Sequence, residues 1–336
     1  MFSHDLKKST FAAGVATLLI ISCTCLQAAP TAAIPGMESV ENNTSITIND
    51  SVGIISGRLS LGILNGESNE LVFDQNTGNT ISHLTWELEN VMMVGAGLTV
   101  TPAPWITLNM DLWFNVSDGS GSMDDYDWNS SGGDWTDWSH HEDTEVDSYW
   151  LFDINAEMPF YKQPTSTFYG ILGVKRDNLE LTASGGDYIY SSQSGVRDLT
   201  GSFASGVLGI SYEQIMTTPY IGLGFNANYA PFTFSGSVIG SVLVNFEATD
   251  IHHLRNLEFE DDFETGTMFG IDLAVAYSFS DRLHLMGSFN YVNYEEVKGS
   301  TTITDLTDGS SYVIGGDVAG SDNNYSLFMA TLMYIF

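Results

Sequence analysis

Apolar and polar residues alternate with a period of two along most of the chain. In one such segment Ile106, Leu108, Met110, Leu112 and Phe114 share a face, and Thr107, Asn109, Asp111 and Asn115 share the other. In a second, Ile221, Leu223, Phe225, Ala227 and Tyr229 alternate with Gly222, Gly224, Asn226 and Asn228. In a third, Phe269, Ile271, Leu273, Val275, Tyr277 and Phe279 oppose Gly270, Asp272, Ala274, Ala276 and Ser278. Successive side chains of a strand point to opposite faces, so these are strands with one greasy face. In a water-soluble sandwich that face turns inward. Here the small and polar face suits a barrel lumen, and the aliphatic and aromatic face suits a lipid-facing band. The last residues, Tyr334-Ile335-Phe336, read as a strand running to an aromatic end.

The connections predict the topology. Short turns near 101–104, 162–164, 229–231 and 280–282 alternate with longer polar connections at about 66–80, 118–146, 185–205, 247–266 and 298–324. The prediction is all-β: a ten-stranded antiparallel transmembrane β-barrel, with short periplasmic turns and long extracellular loops. So narrow a lumen is nearly filled by side chains, which argues against a general diffusion pore. The barrel domain is assigned to 51–336. Residues 1–29 read as a cleaved signal peptide and 30–50 as a periplasmic N-terminal segment. Lys7 and Lys8 precede the apolar run from Phe11 to Ile21, and Leu26-Gln27-Ala28-Ala29-Pro30 is the small-residue exit. Ile20-Ile21-Ser22-Cys23 loosely resembles a lipoprotein box, the alternative exit.

Charge narrows the partners. The 336 residues carry 42 acids against 10 bases, a net charge of −32. No basic stripe exists to meet phosphates, so nucleic acid is excluded as a partner. Removing 1–29 takes away both cysteines, Cys23 and Cys25, and leaves 41 acids, 8 bases and no thiol. Cysteine nucleophiles, disulfides and thiolate metal sites are excluded together.

Two short clusters carry chemistry. Asp125 and Asp127 lie in Met123-Asp124-Asp125-Tyr126-Asp127-Trp128, and Asp250 and His252 lie in Asp250-Ile251-His252. Residues two apart on a strand share a side, about 6.6 Å apart. Each pair can therefore face one groove. A carboxylate beside an imidazole fixes its tautomer and leaves the other nitrogen as a base. Together the pairs form a hydrolytic constellation that needs no covalent nucleophile. A solvated acidic loop is the bland alternative for each pair taken alone. A metal reading uses His140, His141, Glu142 and Asp143 with Asp125 and Asp127. Adjacent histidines on a strand point to opposite faces, so no metal is assigned.

Several motifs resemble the omptins, outer-membrane endopeptidases of Gram-negative bacteria. The likeness runs from about Gly57 to Phe336. It rests on M-D-D-Y-D-W at 123–128, W-T-D at 135–137 with His141, and T-A-S-G-G-D-Y-I-Y-S-S at 182–192. R-D-L-T-G-S-F at 197–203, D-I-H at 250–252 and I-G-G-D-V-A-G at 314–320 complete it. The resemblance implies that Asp125, Asp127, Asp250 and His252 are catalytic and that His252 activates a water. It implies cationic peptide or protein substrates cut next to Lys or Arg, with one pocket acid at Glu70 and an acid on the leaving side at Asp137. The second pocket acid falls on Ala248, a departure that loosens the basic preference. The resemblance also implies a monomer in the outer membrane with its site facing outside. It implies no cofactor beyond lipopolysaccharide, whose patch falls on Val174, Arg176, Asn178 and Ile215, a departure from the family's aromatic and charged residues. Two other classes stay open on the residues alone: a catalytically silent acidic barrel acting as an adhesin, and a narrow cation channel lined by Asp111, Asp153 and Asp272.

Overall fold

A computed structural model of the chain describes residues 53–129 and 133–336. The signal peptide and the N-terminal segment expected over 1–50 lie outside the described residues. The strands are β1 (Ile54–Phe73), β2 (Thr80–Ala103), β3 (Ile106–Asn115), β4 (Met123–Asp127), β5 (Asp137–His141), β6 (Asp143–Gln163), β7 (Ser166–Ser184) and β8 (Asp187–Ser192). They continue with β9 (Gly195–Ser202), β10 (Leu208–Tyr229), β11 (Phe232–His252), β12 (Leu257–Phe263), β13 (Gly266–Ser278), β14 (Leu283–Asp305) and β15 (Ser311–Ile335). All belong to one antiparallel sheet, and β1 bonds to both β15 and β2, so the pairing returns to its start.

The four short turns expected from the sequence fall between β2 and β3, β6 and β7, β10 and β11, and β13 and β14. Near them the outward side chains are apolar and exposed: Leu59, Leu61 and Ile63 on β1, Ile221 and Leu223 on β10, Phe328 and Leu332 on β15. Charged and polar side chains point inward at that end among apolar ones and line a cavity of about 410 Å³, including Arg58, Asp111, Asp153, Glu157, Lys175 and Asp272. Arg58 forks onto Asp111 at 2.9 and 2.8 Å. A Cβ at Gly97 would collide with both groups, so glycine is what lets the pair cross there.

Farther along the same strands the pattern inverts. Leu64, Trp86, Met123, Tyr149, Leu179, Tyr212, Met216, Phe246 and Tyr294 point inward and form the buried core. The neighbouring outward positions turn polar, as at Glu87, Glu89 and Glu213. Water surrounds this end, so the ordinary rule of apolar inside holds there, and it fails where lipid surrounds the wall.

The connections expected as long polar loops are mostly strand. β1 runs to Phe73, β14 runs to Asp305, and β4, β5, β8, β9 and β12 all lie within those stretches. Pairing needs only backbone groups, and these residues have polar outward faces and inward faces interrupted by acids. The greasy alternation that marks a lipid-facing strand is therefore absent from them.

Candidate active site

One wall of a groove at the polar end is built by β2, β4 and β5. In register, Met123 faces Trp86, Asp125 faces Leu84 and Asp127 faces Ser82. Trp86, Leu84 and Met123 are buried, so the parity that sends them inward also sends Asp125 and Asp127 into the groove. The Ser82 hydroxyl donates to Asp125 at 3.3 Å. Asp124 points the other way and accepts from the Trp138 indole at 2.9 Å and His140 Nδ1 at 2.9 Å. Burial, with the charge of Asp127 added, pushes the Asp125 carboxyl up to about 8. Burial raises Asp127 as well.

The opposite wall is β10, β11 and β12. Asp250 lies between Tyr212 and Phe259, and His252 between Ile210 and Leu257. Asp250 Oδ2 stands 2.5 Å from His252 Nε2. On the other side of the ring, the Arg255 guanidinium from the β11–β12 turn contacts His252 Nδ1. Phe259 meets the imidazole edge-on at 5.3 Å. The walls meet beneath the groove where Trp86 stacks on Tyr212, with centroids 6.2 Å apart. The charge of Asp250 reaches Asp125 and that of His252 reaches Asp127, so the two pairs share one electrostatic environment.

The remaining expected positions lie around these pairs. Glu70 projects inward from β1, is 5% exposed, and leaves Oε2 without a hydrogen-bond partner. Burial holds its carboxyl well above the usual range, and the charges of Asp250, Asp261 and Asp125 add to that. Asp137 is the register partner of Asp127. Its carboxylate accepts from the Ser191 backbone N–H and the Asn129 side chain, both at 2.8 Å. Ala248 is buried beside Gln214 and Asp261. His140 and His141 diverge: His140 binds Asp124, while His141 is buried and stacks on Phe203 at 5.4 Å. Val174, Arg176, Asn178 and Ile215 lie together on the outer wall, where Arg176 donates to Thr217 and Asn178 to Glu213, both at 2.7 Å.

Ser82, Arg255 and Asp261 are groove residues that the sequence reading missed. The signal for Asp261 was present in principle. The turn His253-Leu254-Arg255-Asn256 returns the chain so that positions 248 and 261 become partners.

A closed β-sheet with an apolar belt and a polar, acid-lined groove at one end defines a class of protein that sits in an outer membrane. The omptin family model matches residues 51–336. The chain is 33% identical to the plasminogen activator of Yersinia pestis over 279 residues, covering 82% of this chain and 88% of that protein. It is 28% identical to the outer membrane protease OmpP of Escherichia coli, covering 84% and 90%. Its fold is similar to the crystal structure of the outer membrane protease OmpT from Escherichia coli. The TM-score is 0.81 at 26% identity, over 86% of this chain and 100% of that one. The chain belongs to the omptin family.

Proposed function

We propose that this chain is a ten-stranded transmembrane barrel whose outward groove is an endopeptidase site, cutting peptides and proteins next to basic residues by an Asp/His-activated water. Leaving aside β4, β5, β8, β9 and β12, each remaining strand bonds to the next from β1 round to β15, which supports the count of ten. β2, β14 and β15 have 24, 23 and 25 residues. About 9–11 tilted residues cross a bilayer, so more than half of each strand stands clear of it. One chain closes the ring, so the proposed unit is a monomer.

The observation that carries the mechanism is the His252–Asp250 contact at 2.5 Å, with Asp250 and His252 close enough for their charges to act on Asp125 and Asp127. Asp250 occupies Nε2, which leaves Nδ1 to take a proton from water. Arg255 covers Nδ1 and has to swing aside first. The water oxygen attacks the scissile carbonyl as its proton passes to His252. His252 then gives that proton to the leaving amine as the C–N bond breaks, and a carboxylic acid and an amine result. Asp125, which burial and the charge of Asp127 push towards its protonated form, holds the water, and Asp127 supports the acidic pair. Glu70 and Asp137 receive cationic side chains on the two sides of the cut. No metal or organic cofactor is invoked. Lipopolysaccharide is the proposed accessory, docking at the outer patch that contains Arg176.

Intact cells incubated with a fluorogenic dibasic peptide test this reading. His252→Ala is expected to lose about 10²–10⁴ in turnover, the usual cost of removing a general base. EDTA is expected to change nothing. Undiminished turnover by folded His252→Ala would sink the mechanism.

A further inference from the structure

Position 248 faces the groove between Phe246 and Asp250, yet it carries only a methyl group. Across the sheet its register partner is Asp261 of β12, on the inward parity shared with Phe259 and Leu257. Partners in an antiparallel pair hold their Cβ atoms about 4.5–5.5 Å apart, so a carboxylate on 261 reaches the space that Ala248 leaves open. Glu70 enters the same space from β1. It is nine-tenths buried, and its Oε2 has no partner. The charges of Asp250, Asp261 and Asp125 act on it, and the cation Arg255 opposes them. A buried carboxylate oxygen without a donor is costly, and a donor arriving from outside relieves that cost.

We propose that Asp261 and Glu70 together form the receptor for the guanidinium or ammonium group of a basic substrate residue, with Asp261 supplying from the neighbouring strand the carboxylate that Ala248 lacks. The inference rests on the peptidase reading of the groove. Burial pushes Asp261 up to about 7, with the hydroxyl of its other register partner, Thr301, opposing that rise and the charge of Asp250 adding to it. Both receptor acids therefore hold protons readily when the groove is empty and release them to an incoming cation. Two carboxylates from different strands can each meet a separate edge of a guanidinium, which has donors enough for both. Specificity for a basic residue is thereby kept although its acid has moved from one strand to the next.

The test uses the full-length protein refolded with lipopolysaccharide and three fluorogenic peptides differing only at the residue before the cut: Arg, Lys or Gln. The quantity read is the ratio of kcat/KM for a basic peptide to that for the Gln peptide. Asp261→Asn is expected to lower this ratio about 10- to 100-fold, the range for losing a hydrogen bond to a charged group. The swap Ala248→Asp/Asp261→Ala is expected to restore most of it, and it keeps the test open should the single variant fold poorly. An unchanged ratio in Asp261→Asn would overturn the inference, as would a swap that folds but discriminates no better than Asp261→Asn. A binding arm separates the inference from the peptidase reading. A fluorescent Arg peptide is titrated into His252→Ala with and without Asp261→Asn. If wild type cleaves none of the peptides, the peptidase reading fails. In that case about tenfold weaker binding on removing Asp261 still supports the receptor, and unaltered binding overturns it.

Discussion

At the belt end of the interior, Asp111 is forked by Arg58, Asp153 accepts from Tyr220 and Asn155, and Asp272 accepts from Ser237 and Asn290. In the groove at the other end, Glu70 Oε2 and Asp250 Oδ1 have no donor at all. Both regions bury acids on inward faces of the same strands. The first set is answered by the protein's own donors and behaves as part of the scaffold. The second is left open, and an open buried carboxylate is where a ligand's donor or a reacting proton can enter. Burial and charge alone do not separate these two sets of acids; a donor on their oxygens does, with Asp177 the exception, its Oδ1 unpartnered beside Lys175.

The sharpest break of this comparison is on the scaffold side. Lys175 and Asp177 are buried and pair at 3.1 Å. Lys175→Met leaves Asp177 uncompensated and is expected to lower stability by about 3–5 kcal/mol. The measurement is urea-dependent folding into lipid vesicles. Molecules that remain folded are expected to keep wild-type turnover, because neither residue faces the groove.

On the groove side the sign reverses. The Asp125 carboxyl rises from an ordinary 3.8 to about 8 in the folded protein. Between those values the native state holds a proton that the unfolded chain has released, so Asp125 erodes stability as pH climbs through that window. Asp125→Asn is expected to abolish most peptide cleavage and to raise the melting temperature relative to wild type at pH 8. The gain should shrink towards pH 4. A gain of equal size at both pH values would contradict the assignment of the burial cost to this carboxyl.

A smaller effect is expected at Arg255. Its guanidinium covers His252 Nδ1 and lowers the carboxyls of Glu70, Asp125 and Asp127. It occupies the groove as a substrate's own cation would. Arg255→Gln is expected to lower KM for a dibasic peptide a few-fold, and the change should fade at high salt, where exposed charges are screened. A raised KM would mean that Arg255 assists binding instead.

How much of this was legible in the sequence follows from the same inversion. Strands such as β3 and the end of β10 could be read residue by residue, because lipid outside and a polar lumen inside impose strict alternation. β4, β5, β8, β9 and β12 lie in stretches whose pattern predicts loops, because outside the membrane neither face carries a long apolar run. The inward direction of Asp125 and Asp127 needed only parity. Asp261 needed the length of a turn, and Arg255 needed a side chain to fold back over its own strand. Neither has a periodic signature. The unpartnered oxygen of Glu70 is a property of packing between β1 and distant strands, and no local pattern contains it.

Asp250, open at the polar end, is expected to serve the chemistry, and Asp272, satisfied at the belt end, is expected to be dispensable for it. The direct measurement is kcat for a fluorogenic dibasic peptide with Asp250→Asn beside Asp272→Asn, both verified as folded. Asp250→Asn is expected to fall about 10²- to 10⁴-fold, because the base loses the carboxylate that orients it. Asp272→Asn is expected to stay within the scatter of wild type. A comparable loss in both variants, or retained turnover in Asp250→Asn, would contradict the account.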